Sequence, residues 1–442
     1  MGITKTLYTG VTGLTAHGEA LGVVGDNIAN VNTTGYKSER VIFSDLLGRS
    51  MMSLNAAGSG VMLQKISRVF AQGTLLTTES PTDLAINGRG FFVLRGQLNG
   101  VAGNYFSRAG QFTLDKNGNM VNPSGFILQG YLVNTSGEMD NQLNDLQVAD
   151  SVLPPLASTA VELSTNLDSN ATVLGAGLPW STTSPGTTSN FSTAITVYDS
   201  LGDAHRLDVY FRKIQDANPA IPQYAEWDYH VLVDGGELQG GATGTAVEMA
   251  TGTLEFTADG WLWDETTTLA WGVGSTNFVG ASAQAISFDF GININTDGGS
   301  GQAGSTNYAT ASSIRSQEQN GYSTGELSGI GVQGDGNVMA VYSNGEQRFV
   351  GQVALATFEA EEELARAGES LWWETQASGN ARIGPASSGS AGAITAGALE
   401  QSTVDLAGEF VKLIAYQRGF QANSRTITIA DQLYQEIVNL KR

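Results

Sequence analysis

Apolar positions change their period along this chain. Near the N-terminus, Leu7, Val11, Leu14, Gly18, Leu21, Gly25 and Ile28 follow one another at spacings of four and three, the heptad stripe of a helix face that packs on another helix. Near the C-terminus, Leu406, Phe410, Leu413, Gln417 and Phe420 form one such stripe, and Ala430, Leu433, Ile437 and Leu440 form a second. Ser402-Thr-Val-Asp405 ahead of them reads as a capping box, and Lys441 and Arg442 suit a helix C-terminus. A continuous helix from Val404 to Leu440 spans on the order of 55 Å, more than the width of a small domain.

Between these ends the period falls to two. Three stretches alternate apolar and polar residues about an Asn-Gly or Asp-Gly step: 112–121 around Asn117-Gly118, 254–263 around Asp259-Gly260, and 338–350 around Asn344-Gly345. Each predicts a hairpin, because those dipeptides supply the positive φ that tight turns require. Breaks rich in Ser, Thr and Gly at 171–190 and 297–313 bracket a β segment inserted into another β domain, and a third at 384–398 precedes the C-terminal helix. The expected fold is mainly β with long α-helical termini, in which nested antiparallel β domains are inserted between an N-terminal and a C-terminal helix that pair as a coiled coil. The expected division is 1–70 with 399–442 as a helical core, 71–166 with 301–398 as an inner β domain, and 167–300 as an outer one.

The N-terminal stripe carries Gly10, Gly13, Gly18, Gly22 and Gly25, each costing up to about 1 kcal/mol against alanine in a helix interior. Alone, the segment should be largely unfolded, so the glycines point to close helix-to-helix approach. A helix pair within one molecule would use them. Two long stripes, however, leave more apolar surface than each can cover on the other, which favours contacts between molecules.

Composition narrows the function. There is no cysteine among 442 residues, which removes disulfides, thiol catalysis and thiolate ligands. Apolar residues at 41% are enough to build cores, and the net charge of −21 argues against nucleic acid or anionic lipid as a partner. That charge is uneven: residues 1–50 and 399–442 are each neutral, whereas residues 167–300 hold three basic and sixteen acidic side chains. No stretch reaches the ~20 apolar residues of a membrane span, and residues 1–10 lack the apolar region of a cleavable secretion signal, so an exported form is expected to leave by another route. The opening Met-Gly-Ile-Thr-Lys-Thr fits the myristoylation pattern only by its loosest criteria.

Candidate chemistry fails on context. Gly329-Ile-Gly-Val-Gln-Gly334 is followed by a turn and a hairpin instead of a helix, so it is not a nucleotide fingerprint. Asp115-Lys-Asn-Gly-Asn119 begins like a calcium loop, but Met120 stands where glycine is needed and Phe126 where glutamate is. His17, His205 and His230 have no ligand spacing. Glu226 and Asp228 are a carboxylate pair of the kind glycosidases use, yet such pairs arise freely among 43 acids. No catalytic, metal or cofactor site is expected.

Longer motifs carry a resemblance. Leu7-Tyr-Thr-Gly-Val-Thr-Gly-Leu14 and Gly25-Asp-Asn-Ile-Ala-Asn-Val-Asn-Thr-Thr-Gly-Tyr-Lys37 resemble the N-terminal signature of bacterial flagellar rod and hook proteins. Leu399-Glu-Gln-Ser-Thr-Val-Asp-Leu406 and Ala415-Tyr-Gln-Arg-Gly-Phe-Gln-Ala-Asn423 resemble their C-terminal one. Gln72-Gly-Thr, Asp83-Leu-Ala-Ile-Asn-Gly-Arg-Gly-Phe-Phe92 and Arg108-Ala-Gly-Gln-Phe112 match inside. The insertion at 167–300, with Val197-Tyr-Asp-Ser-Leu-Gly202, Trp227-Asp-Tyr-His230 and Thr257-Ala-Asp-Gly260, is similar to that of hook subunits. The shorter distal rod protein is the runner-up, and a secreted β-rich adhesin a more distant alternative. Asp26 and Thr403 stand where that family usually has asparagine, and Glu359 to Glu363 replaces a more neutral turn.

The resemblance implies a non-enzymatic subunit of an open helical homopolymer, a curved, flexible tube that transmits torque from rod to filament. It implies passage through the flagellar type III export apparatus without a cleaved signal peptide, a place on the cell exterior, and neighbours in the distal rod protein, the hook cap and the hook-filament junction proteins. It implies no cofactor, no nucleic acid and no membrane insertion. The expected subunit interface comprises Leu7, Val11, Leu14, Leu21 and Ile28, then Asn30, Asn32, Gly35 and Tyr36 of the following loop. From the C-terminal helix it takes Leu406, Phe410, Leu413, Ile414, Gln417, Phe420, Leu433, Ile437 and Leu440.

Overall fold

The computed structural model of the protein describes residues 2–47, 58–133, 139–148, 152–218, 224–271 and 277–440. It is mostly β, with helix α1 (Gly2–Ala29) at one end of the sequence and α2 (Leu406–Leu440) at the other. The 35 residues of α2 make a rod of about 52 Å. Lys441 and Arg442, and the side chain of Leu440, lie outside the described residues.

The two helices run antiparallel. Gly10 faces Ile427, Gly13 faces Asn423, and His17 meets Gly419 and Tyr416 further back along α2. The covered face of α1 is Gly10, Gly13, Ala16, Ala20, Val23 and Asn27, one helical step round from the leucine stripe. Leu7, Leu14, Leu21 and Ile28 are half-buried along its flank, and Val11 is 50% exposed. Small residues let the backbones approach, so the line of contact follows them and the larger side chains splay to either side. A Cβ on Gly10 would lie 2.9 Å from Ile427 Cγ1 and one on Gly13 2.7 Å from Asn423 Oδ1, whereas Gly22 and Gly25 face open space. Close approach therefore explains Gly10 and Gly13, and not Gly22 or Gly25.

The start of α2 differs from the expected capping box. Asp405 is the cap: its Oδ1 accepts the Ala407 N–H at 3.1 Å, while Ser402 Oγ accepts from Val404 at 3.3 Å, before the helix begins. A carboxylate at that position satisfies a free N–H and favours the helix dipole.

After α1, strands β1 (Glu39–Leu47) and β2 (Gly58–Arg68) form an antiparallel pair. Phe43 packs on His17 and Tyr416 with ring centroids 5.9 and 6.1 Å away.

The protein divides into two compact units. The first, residues 1–150, 328–341 and 347–442, holds the helices and a large antiparallel sheet. In that sheet Phe91–Leu98 pairs with Val101–Ser107 and Ile127–Val133, and Gln347–Thr357 pairs with Ile127–Val133 in turn. Phe91, Val93, Phe106, Phe358, Leu364 and Trp372 make its core, with Phe106 and Phe358 edge to face at 4.8 Å.

The second unit, residues 151–327 and 342–346, is built on a five-stranded meander of Phe191–Tyr198, Ala204–Gln215, Ala225–Asp234, Ala246–Phe256 and Leu262–Leu269. Its core includes Phe211, Trp227, Tyr229, Phe256, Phe278 and Phe290, all at most 2% exposed. The three expected hairpins are present, with Gly118, Gly260 and Gly345 at φ of +80°, +80° and +90°.

Candidate subunit-contact site

The loop after α1 is fixed by its own polar groups. Asn27, fully buried, donates from Nδ2 to the Glu39 carbonyl at 2.7 Å, and its Oδ1 accepts the Glu39 N–H at 2.9 Å. The Tyr36 hydroxyl donates to the same Oδ1 at 3.4 Å. Gly35 donates to the Glu400 carbonyl at 2.8 Å with φ +68°, and a Cβ there would lie 2.6 Å from the Ala109 nitrogen. Only glycine fits.

Below that loop lies a buried ionic cluster. Lys37 Nζ donates to Glu400 Oε1 and to the Ala71 carbonyl, each at 2.7 Å, and both charged side chains are fully covered. Gly73 N–H donates to the same Oε1 at 2.7 Å, and Arg108 Nη1 lies 3.6 Å from Glu400 Oε2. Two cations thus share one carboxylate. Burial pulls both Lys37 and Arg108 below their usual ranges, with the Glu400 carboxylate opposing it. Thr403 closes the arrangement, its N–H donating to the Tyr36 carbonyl at 3.1 Å and its hydroxyl accepting Ser38 N–H at 2.9 Å. The post-α1 loop, the segment before α2 and the sheet are in this way tied to one point. Burial also pushes the Tyr36 hydroxyl up to about 12, against the opposing charge of Arg366, whose guanidinium lies 5.6 Å from the ring.

The apolar surface is elsewhere. The face of α2 turned to α1 is Leu413, Tyr416, Phe420, Asn423, Ile427 and Ala430, of which Ala430 is fully buried and the rest half-buried. The expected residues Leu406, Phe410, Ile414, Leu433 and Ile437 lie outside it, between 39% and 51% exposed, joined by Val411 at 67%. Gln417 is exposed, and Leu413 and Phe420 serve the helix pair. In the loop, Asn32 is exposed and Asn30 half-buried, while Gly35 and Tyr36 are spent inside the molecule.

Residues of this site that pattern reading missed are Asn27, Arg108, Glu400 and Thr403. All four stand within the motifs quoted above, but nothing in their spacing reports their partners, which for Arg108, Glu400 and Thr403 lie hundreds of positions away. The unusual acidic turn is likewise absorbed: Arg89 pairs with Glu361 at 2.9 Å, Lys65 with Glu363, and Ser67 donates to Glu362 at 3.3 Å. Asp26 lies 3.7 Å from Arg366.

Among the described residues no group of three or more His, Asp or Glu could hold a metal ion, and no helix is long and apolar enough to cross a membrane. His205 lies between Glu237 and Asp199 at 2.9 and 3.3 Å and stacks on Phe278; His230 bonds Glu248 at 2.5 Å and stacks on Trp180. Both are structural contacts of the second unit.

Comparison with known proteins gives a coherent picture. Residues 7–37 match the model of flagella basal body rod proteins, and 85–167 that of the flagellar hook protein FlgE/F/G D1 domain. Residues 166–322 match the flagellar basal body protein FlaE D2 domain, and 395–440 the flagellar basal body rod FlgEFG protein C-terminal model. The protein is 35% identical over 434 residues to the flagellar hook protein FlgE of Salmonella typhimurium, covering 98% of each. It is 32% identical over 463 residues to that of Borreliella burgdorferi, covering 99% of each. Its fold is similar to the crystal structure of the Helicobacter pylori flagellar hook protein FlgE2, with a TM-score of 0.52 at 14% identity, covering 74% of this chain and all of that one.

Proposed function

The protein belongs to the flagellar hook protein family, and on that premise we propose that the apolar surface of α2 left uncovered by α1, with Tyr8 and Val11 of α1, is where this hook subunit is buried against further copies of itself. The observation that carries the reading is that α1 covers a single strip of α2, while apolar side chains beside that strip and along its last turns stay exposed. Leu406, Phe410, Val411, Ile414, Ile429, Leu433, Tyr434, Ile437 and Val438 are left between 39% and 67% exposed, more large apolar side chains on one helix than a monomer ordinarily keeps in water.

Head-to-tail contact through such a surface, where the rotation between copies does not close, builds an open helical tube. Neutral helices suit its inside, where charge would accumulate, and the acidic β domains suit its outside. The proposed work is mechanical: a curved, flexible tube that carries torque from rod to filament, with β domains sliding across one another as it turns. The division into a helical core, an inner β domain and an outer one belongs to the same proposal. So do passage through the type III export apparatus, a place on the cell exterior, and contacts with the distal rod, hook cap and hook-filament junction proteins. No enzymatic step is assigned.

Electron microscopy of the purified protein under assembly conditions tests this. Supercoiled tubes are expected from the full-length protein and none from a form lacking residues 1–30, whose β domains stay folded by circular dichroism. Tubes from the truncated form would overturn the reading.

A further inference from the structure

Five Asn-Gly steps occur in the sequence, at 87, 99, 117, 320 and 344. Such a step can rearrange without an enzyme. The glycine nitrogen attacks the asparagine Cγ, losing its proton as the new N–Cγ bond forms, and the Cγ–Nδ2 bond breaks to release ammonia. Water then opens the succinimide at either carbonyl, leaving aspartate or isoaspartate. The reaction needs an unencumbered glycine nitrogen and an asparagine side chain free to swing over it.

Four of the five steps lack that freedom. Gly88 donates to Gln72 Oε1 at 3.0 Å while Gln72 Nε2 reaches Asn87 Oδ1 at 3.4 Å. Gly118 donates to the Asp115 carbonyl at 3.0 Å. Gly321 donates to Gln319 Oε1 at 2.6 Å, and Asn320 Oδ1 accepts the Thr159 N–H at 2.8 Å. Gly345 donates to the Tyr342 carbonyl at 3.0 Å, and Asn344 Nδ2 donates to the Ser323 carbonyl at 2.7 Å.

Asn99 and Gly100 differ. They form the two-residue tip between Phe91–Leu98 and Val101–Ser107, with φ of +49° and +85°, and both are exposed. Among the described residues neither the Asn99 side chain nor the Gly100 N–H has a hydrogen-bond partner, and a Cβ on Gly100 would meet nothing within 4 Å. The hairpin is closed by the Leu98 and Val101 pair alone.

We propose that Asn99 is the site of spontaneous deamidation in this protein, a modification that adds one negative charge at the hairpin tip and, in the isoaspartyl product, one extra backbone carbon. The protection of the other four lies in their hydrogen bonds and not in their sequence.

Peptide mapping by mass spectrometry, on the folded full-length protein incubated at mildly alkaline pH and in parallel on the protein held in denaturant, tests both statements. In the folded protein Asn99 is expected to convert at least roughly fivefold faster than any other Asn-Gly step, the factor that one net hydrogen bond supplies. In denaturant the five rates should draw together. Conversion of any of the other four at the Asn99 rate in the folded protein overturns the proposal, as does an Asn99 preference that survives denaturation. An Asn99→Gln variant, checked for an unchanged circular dichroism spectrum, should lose the early acidic species seen by isoelectric focusing; persistence of that species also overturns it.

Discussion

Lys37 and Glu400, 363 positions apart in sequence, meet at 2.7 Å with neither side chain exposed to solvent. The contact sits where the backbone leaves α1 and where it approaches α2, with Arg108 as a second cation on the same carboxylate. Replacing Glu400 with Gln keeps an acceptor for Lys37 and Gly73 but leaves two buried positive charges unbalanced. Breaking a buried pair this way costs about 3–5 kcal/mol. Urea denaturation of the Glu400→Gln variant should show that loss, and adding Lys37→Met should recover part of it. A single variant within about 1 kcal/mol of the parent would show that the pair is not held in the protein as it is in the structure.

The glycines of α1 separate by position. Gly13→Ala places a Cβ 2.7 Å from an Asn423 side chain whose Nδ2 is already bonded to the Gly419 carbonyl at 2.9 Å. It should loosen the helix pair. Gly22→Ala meets nothing and gains up to about 1 kcal/mol of helix propensity. Hydrogen exchange of the α1 amides should quicken in the first variant and slow in the second.

Exposed apolar residues near the two ends of α2 can be changed with little effect on the monomer's own packing. Phe410→Ser and Ile437→Ser alter side chains that are each 51% exposed, so the melting temperature of the monomer should hardly move. Sedimentation under assembly conditions should find the double variant in the supernatant and the parent in the pellet. Co-pelleting of both would remove these two residues from the interface.

Glu265 gives the second unit a pH dependence of definite sign. Burial raises its carboxyl from 4.5 to about 7, while its Oε2 accepts the Phe290 N–H at 3.1 Å. The folded state therefore holds this proton more tightly than the unfolded one. Its contribution is complete below pH 4.5 and lost as pH rises through about 7. The full linkage is about 3 kcal/mol, which partial exposure reduces to roughly 1–2. Denaturation midpoints at acidic and alkaline pH should differ less in Glu265→Gln than in the parent; an unchanged difference would place the titration on another group.

How much of this was legible follows from what periodicity measures. The hairpins at Asn117-Gly118, Asp259-Gly260 and Asn344-Gly345 could be placed because a positive φ selects those dipeptides locally. Both long helices could be placed because their apolar spacing persists over many turns. The face α1 turns to α2 could not, since pattern reading follows large side chains and that face is made of Gly10, Gly13, Ala16 and Ala20. The capping residue was misplaced by three positions, as Ser402 and Asp405 are both good caps and only the backbone distinguishes them. The pairing of Glu400 with Lys37 and Arg108 has no local signature at all, although each residue stands within a motif that carried the family resemblance.

The antiparallel pairing of α1 with α2 sets an order of events. The glycine-weakened helix is translated long before α2, so during synthesis the early segment has only β1 and β2 to fold upon. On the proposed reading, a fragment cut short before residue 406 lacks all of α2 and is expected to stay out of the polymer.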